Sequence, residues 1–391
     1  MRRIVSRRAG GAKLLDLDVT AAVERDEEAK KWLLRDDGQG GPSLMSFTIM
    51  RDALSRLLAD ALPADGTASI TGGKELARVE AGAEGGLTLY FMDGTTSSGF
   101  DLVVGCDGIG SEVRRLVLEE SGADAQRKSS GIRVRFGVGP AGSRPPGSAG
   151  ELHQWFSGDG CYALTGTYGG GAEEGGPGAF DMVALTTYEP PPAAAIERGR
   201  TEQPSENTRW DSSQIQASVV EALEGAGFSD EVLGVARGAD RFFDLGVAFQ
   251  NPLVPWSKSY ADGSCLVLVG DSAHAMPPFL GQGANQAIQD AYTLALELRR
   301  PDSPPWPLKV LAGGETNAAL RTYEWRRKPA TSLLMLESRF LGALETQQGL
   351  GGIFRDAFFF FTDKVGVASL VFLKGAVPRV PPREESRDNE S

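Results

Sequence analysis

The chain has 391 residues, 52 of them acidic and 40 basic, for a formal net charge of −12. That length suits about two or three domains, and the acid excess argues against a nucleic-acid surface. His153, His274 and three scattered cysteines, Cys106, Cys161 and Cys265, offer no recognisable metal spacing and no disulfide framework. No apolar run reaches the ~18 residues of a transmembrane helix.

At the front, Met1 to Leu15 is basic and reads as a loop, since Ile4-Val5 is too short a lead-in for a buried strand. A basic, acid-free start also fits a transit peptide; the loop is preferred, and cytoplasm is the default location. Ala21 to Lys31 is charged and helical, and a second helix starts at Met50-Arg51. Leu87 to Phe91 followed by Asp93-Gly94 reads as a hairpin edge. Leu102 to Val104 is a short buried-type strand, Asp107-Gly108 is a turn signal, and Ser111 is a helix N-cap with Val113, Leu116 and Val117 behind it.

Beyond residue 128 the pattern changes. Gly131 to Phe136 alternates, as does much of Met182 to Tyr188, which suits an antiparallel sheet with one open face. Gly139–Gly150 and Gly169–Gly178 read as mobile loops, Pro190 to Asn207 as a polar linker and Ser213 to Leu223 as a helix. Cys265 to Val269 is a continuous apolar run of the kind found in parallel strands. After the loop that follows, Ala284, Ala287, Ile288, Ala291, Leu294, Ala295 and Leu298 recur at helical spacing until Pro301 stops the helix. Residues 315 to 377 read as helical. Phe354, Phe358, Phe361 and Val365 to Leu373 make that end very apolar, as a packed helix or, alternatively, a membrane-surface helix. The charged tail after Pro381 reads as disordered.

The Gly270-to-Asn285 loop carries the most chemistry. Gly270 permits close backbone approach, and Asp271 stands at the carboxyl end of a parallel strand, where open α/β sheets bind ligands. Pro277 and Pro278 stiffen the loop, Gly281 and Gly283 leave room for a flat ring, and the N–H groups of Ala284 and Asn285 offer a positive helix end to an anion.

This string resembles the second flavin-contact motif of the FAD-dependent aromatic hydroxylase family, the single-component (group A) flavoprotein monooxygenases. The resemblance implies that Asp271 binds the FAD ribose and that Pro278, Gly283, Ala284 and Asn285 lie against the isoalloxazine ring. Asp107-Gly108-Ile109-Gly110-Ser111-Glu112-Val113-Arg114 resembles the family's Asp-Gly motif, which implies that Asp107, Gly108 and Arg114 contact FAD and the incoming nicotinamide. Arg51-Asp52-Ala53-Leu54 resembles an Arg-x-x-Leu helix start that reaches the ribose–pyrophosphate, an exposed helical arginine being the alternative. Asn251 to Trp256 and Leu320 to Pro329 resemble packing segments of the same family.

The implied fold is α/β (α+β overall): an incomplete doubly wound FAD-binding domain with an inserted antiparallel β-sheet substrate domain and C-terminal helices. The expected boundaries are 1–128 and 263–314 for the FAD-binding parts, 129–262 for the substrate domain, 315–380 for the helices and 381–391 for the tail. The implied activity uses FAD, NAD(P)H and O2 to hydroxylate or epoxidise a small aromatic or isoprenoid-like substrate through a flavin C4a-hydroperoxide. No catalytic base is assigned; His274 reads as a loop-orienting residue. The family's opening strand with its Gly-x-Gly-x-x-Gly pyrophosphate turn is missing from the front of the chain. The expectation is therefore an incomplete reading of a longer flavoprotein, lacking at least about 30 residues. Alternatives are a flavin-free remnant acting as a binding protein, or a same-fold flavin-dependent reductase.

Overall fold

The computed structural model describes residues 1–36, 42–46, 48–82, 85–144, 150–169, 179–189, 212–299 and 314–380. The expected linker at 190–207, the stop at Pro301, the tail from 381, residues 145–149 of the first glycine-rich loop and 170–178 of the second lie outside these residues. The chain divides into two compact units: Met1–Thr71 with Ser129–Val247 and Phe340–Val377, and Gly72–Lys128 with Ala248–Arg339 and Pro378–Ser391.

A division falls between residues 128 and 129, but Met1–Thr71 groups with Ser129–Val247 and not with Gly72–Lys128, and the front of the chain is not a loop. Arg3–Arg8 is a strand, parallel to Glu151–Phe156 and antiparallel to Lys13–Asp18. Val5 and Ser6 are buried, while Arg3 reaches Asp16 at 2.7 Å and Arg8 reaches Asp356 at 2.7 Å. Paired in this way, the basic side chains are compatible with a strand that composition alone disfavours.

The first unit is built on a seven-stranded sheet in the order Arg241–Phe249, Lys128–Pro140, Phe180–Tyr188, Tyr162–Tyr168, Glu151–Phe156, Arg3–Arg8, Lys13–Asp18. The helices Ser212–Gly225 and Asp230–Gly238 cover one face through a core that includes Trp155, Val183, Leu185, Val219, Leu223 and Phe242. Asp181 to Thr186 is buried at every position, so the expected open face fails there. Gly137-Val138-Gly139-Pro140-Ala141-Gly142 has the Gly-x-Gly-x-x-Gly spacing, but Gly137 and Gly139 lie inside a strand. A Cβ on Gly137 would meet the Phe242 ring at 2.5 Å, and one on Gly139 the Gly238 carbonyl at 2.4 Å. These glycines serve packing and cradle no phosphate.

The helix Leu350–Lys364 buries Gly352, Arg355, Asp356 and Phe359. It exposes Leu350, Ile353, Phe354 and Phe361, so packing accounts for one of its two faces. Among the described residues no helix is long and apolar enough to cross a membrane.

In the second unit Leu102–Gly105 and Cys265–Leu268 pair in parallel, Cys265 opposite Leu102 and Leu268 opposite Gly105. Ser257–Ser259 flanks the other side of Cys265–Leu268, which leaves Leu102–Gly105 at the sheet edge with Val104 40% exposed. The expected hairpin is present as the sheet Leu76–Ala81, Leu87–Phe91, Thr96–Phe100. Leu266, Val267 and Leu268 are fully buried among Val113, Leu116, Trp256, Leu320 and Tyr323. Trp256 donates its indole N–H to the Pro252 carbonyl at 2.9 Å, consistent with a packing role for that segment.

Candidate functional site

The parallel pair fixes where the two motif loops emerge. Because Gly105 lies opposite Leu268, the Asp107 loop and the Gly270 loop leave adjacent strands at the same end. The Gly105 carbonyl accepts from Val269 N–H at 3.0 Å and from Ser272 Oγ at 2.6 Å. Gln250 straps both loops, its side-chain amide donating to the Ile109 carbonyl at 2.8 Å and its backbone N–H to the Ala275 carbonyl at 3.1 Å.

Arg114, expected to contact FAD and an incoming nicotinamide, forms a third strap. Its guanidinium is buried and donates to the carbonyls of Ser272 and Ala273, both at 2.9 Å, and of Asn251 at 2.7 Å. Desolvation lowers its pKa to about 10. Asp107 is also engaged. Its carboxylate accepts the N–H groups of Glu112 at 2.8 Å and Val113 at 3.2 Å, while Ser111 Oγ caps Arg114 N–H at 2.9 Å. Both side chains thereby satisfy the orphan donors at the start of Glu112–Leu118.

Asp271, in contrast, has no hydrogen-bonding partner shown and is exposed at the start of the short Asp271–His274 helix. The packed turn behind it desolvates the carboxyl and raises its pKa, with nearby His274 opposing. Gly270 has φ 66° and ψ −136°, and a Cβ there would meet the Ala287 methyl at 3.1 Å. Further on, Pro278 opens a 3-10 turn and Gly281 closes it at φ 61°. The Gly283–Leu298 helix then begins with no side-chain cap, with Ala284 and Asn285 exposed. A Cβ on Gly108, Gly281 or Gly283 would meet nothing within 4 Å. Arg51 lies in the other compact unit, exposed at the start of Arg51–Asp60.

The motif helix turns a different face inward from the one its apolar spacing suggests. Gln286, Gln289, Asp290 and Thr293 are buried with Leu294 and Leu298, while Ile288 is exposed. The reason is a polar network invisible to hydrophobic periodicity: Asp290 pairs with His274 and with the buried Arg327. Its signal in the sequence was Asp290 beside Gln286 and Gln289, with a compensating Arg327 in the next helix. His153 sits buried between Glu151 at 2.8 Å and Glu231 at 3.1 Å, which gives it a structural role in the first unit. No group of three potential metal ligands exists among the described residues.

The residues present fit the ribose and ring end of a flavin. They combine a free carboxylate, glycines facing open space, and the uncapped N-terminus of a long helix. Among the described residues no phosphate-binding turn flanks the Leu102–Gly105 edge.

The chain combines a parallel strand pair, with motif loops at its carboxyl ends, and a large, mainly antiparallel sheet. The FAD binding domain family model matches residues 256–338. A 3-amino-4-hydroxybenzoate 2-monooxygenase of Streptomyces cremeus is 29% identical over 296 residues, covering 75% of this chain and 61% of that protein. A chloroplastic zeaxanthin epoxidase of Nicotiana plumbaginifolia is 28% identical over 251 residues, covering 62% of this chain and 31% of that protein. The solved structure of Klebsiella pneumoniae HpxO complexed with FAD and uric acid superposes with a TM-score of 0.67 at 20% identity, over 96% of this chain and 80% of that one. The chain is thus similar to FAD-dependent aromatic hydroxylase-like monooxygenases, and it shares the fold of the solved ones. It spans 61% and 58% of the length of the first two curated relatives it matches.

Proposed function

We propose that the chain acts as an FAD-dependent monooxygenase that uses NAD(P)H and O2 to hydroxylate or epoxidise a small aromatic or isoprenoid-like substrate. The observation that carries this reading is the open loop from Gly270 to Asn285, set beside the Asp107-Gly108 loop by a parallel strand pair. The balanced reaction takes substrate, O2, NAD(P)H and a proton to oxygenated substrate, water and NAD(P)+. The FAD supplies the two-electron and oxygen chemistry when bound.

The protein residues bind and orient. Asp271 accepts the ribose hydroxyls, and Gly270, Pro278, Gly281 and Gly283 keep side chains clear of the ring. The N–H groups of Gly283, Ala284 and Asn285 would stabilise a flavin that becomes anionic on reduction. Asp107 and Gly108 shape the neighbouring loop, Arg51 is a proposed cofactor contact by its motif position alone, and Arg114 holds the two loops together. The similarity to an aminohydroxybenzoate monooxygenase supports hydroxylation, and that to zeaxanthin epoxidase supports epoxidation.

The test is expression of this chain followed by a flavin absorption scan and an FAD titration. NADH and NADPH oxidation would then be followed against phenolic and isoprenoid panels. Absence of a flavin band, with no rise in FAD affinity over a D271A/G283A control, sinks the reading.

A further inference from the structure

We propose that Asp290 is a positioning residue for this site: its carboxylate sets the Gly270–Asp271 turn against the N-terminus of the Gly283–Leu298 helix. The inference rests on the flavin reading and deepens it. One carboxylate oxygen, Oδ2, accepts Gly270 N–H at 2.9 Å and His274 Nε2–H at 2.5 Å. The other accepts Arg327 Nε–H at 2.7 Å. Arg327 donates onward to Gln286 Oε1 at 2.6 Å and Gln289 Oε1 at 3.1 Å, so the helix, the turn and the Gly314–Glu345 helix share one knot. Asp290 and Arg327 are fully buried.

The geometry explains why an acceptor is required at this place. Gly270 turns its backbone out of the strand at a positive φ, so its N–H leaves the sheet ladder and needs another partner. Asp290 is that partner, and it stands two turns along the helix from Gly283, about 10 Å at the helical rise. Asp271 and the free N–H groups of the helix start therefore hang from the two ends of one loop whose base is this carboxylate. Ser338 Oγ pins the middle of the loop by donating to the Pro277 carbonyl at 2.6 Å. Burial alone would raise the Asp290 carboxyl, but the hydrogen bonds and charges of His274 and Arg327 hold it below the usual carboxylate range. The acceptor stays ionised.

A buried ion pair can often be replaced by apolar residues without loss of stability. An apolar pair cannot accept the Gly270 N–H, and this separates positioning from mere packing. In the full chain, D290L/R327M and D290N/R327M both lose the charges, but only the asparagine keeps an oxygen for Gly270. The readouts are melting temperature, FAD affinity by fluorescence titration, and the flavin absorption band. At comparable melting temperatures, D290L/R327M is expected to bind FAD about tenfold or more weakly with a shifted band, as the loss of one good hydrogen bond implies. D290N/R327M is expected to stay near wild type. Equal affinity and equal spectra in the two variants would overturn the proposal.

If D290L/R327M does not fold, D290T/R327M, too short to reach Gly270, is read by amide hydrogen exchange over Val269 to Ala273. Faster exchange than wild type is expected, and unchanged protection overturns the proposal. Wild-type chain that binds no FAD overturns the flavin reading first, and is recognised before any variant is made.

Discussion

Ser272 and Gly105, 167 positions apart, are joined by a hydrogen bond of 2.6 Å from the serine hydroxyl to the glycine carbonyl. The bond ties the Gly270 loop to the end of the neighbouring parallel strand, the joint on which the two motif loops depend. Ser272→Ala is expected to cost about 1–2 kcal/mol, the range for losing a buried hydrogen bond. Thermal unfolding should show a fall of about 2–4 °C per kcal/mol for a chain of this size. An unchanged melting temperature would mean that the strand pairing alone holds the loops.

Two glycines of the same loop are expected to respond in opposite ways. Gly270→Ala forces a Cβ into a positive φ and against Ala287, so the fold itself should weaken, by about 1–3 kcal/mol for the strained backbone. Gly283→Ala meets nothing within 4 Å and replaces a poor helix former with a good one. Its melting temperature should hold or rise while FAD affinity falls about tenfold, because the methyl enters the space assigned to the ring. If Gly283→Ala binds FAD as wild type does, the ring does not lie over this helix end.

The motif loops were legible in the sequence because Gly, Pro and Asp at fixed spacing after an apolar run impose their own local geometry. The strand Arg3–Arg8 was not, since its arginines become compatible with a sheet only through Asp16 and Asp356, which no local pattern reveals. The strapping role of Arg114 was hidden for a related reason. Its motif position is that of a ligand contact, and only the fold shows its two terminal nitrogens donating to three carbonyls. The inward face of Gly283–Leu298 was hidden because periodicity counts apolar residues, whereas this face is polar and paired.

In the first unit, Glu345 is buried with one carboxylate oxygen unpartnered. Burial pushes its pKa well above the ordinary value, with the charge of Arg355 opposing. An acid raised on folding contributes stability that is present below its unfolded pKa, about 4.3, and lost as pH rises through the folded value. Glu345→Gln removes that loss. Its melting temperature should match wild type near pH 4 and exceed it increasingly toward neutral pH. A constant offset across the range would show that Glu345 does not titrate differently in the folded chain.

The same sign applies to Asp271, with an added consequence for binding. Its pKa is raised by desolvation, the nearby His274 opposing, and its carboxylate has no partner shown in the protein. The FAD-free protein should therefore lose stability as pH rises from about 4 through the raised value, and Asp271→Asn should abolish that loss. Bound FAD should reverse the ranking. If Asp271 holds the ribose hydroxyls, the asparagine loses charge-assisted hydrogen bonds of about 1.5–3 kcal/mol each and FAD affinity falls at least about tenfold at neutral pH. Melting curves with and without FAD, at acidic and neutral pH, read both effects in one series. A variant that is more stable without FAD and less stabilised by it supports the assignment. One that gains stability equally in both states places the ribose elsewhere.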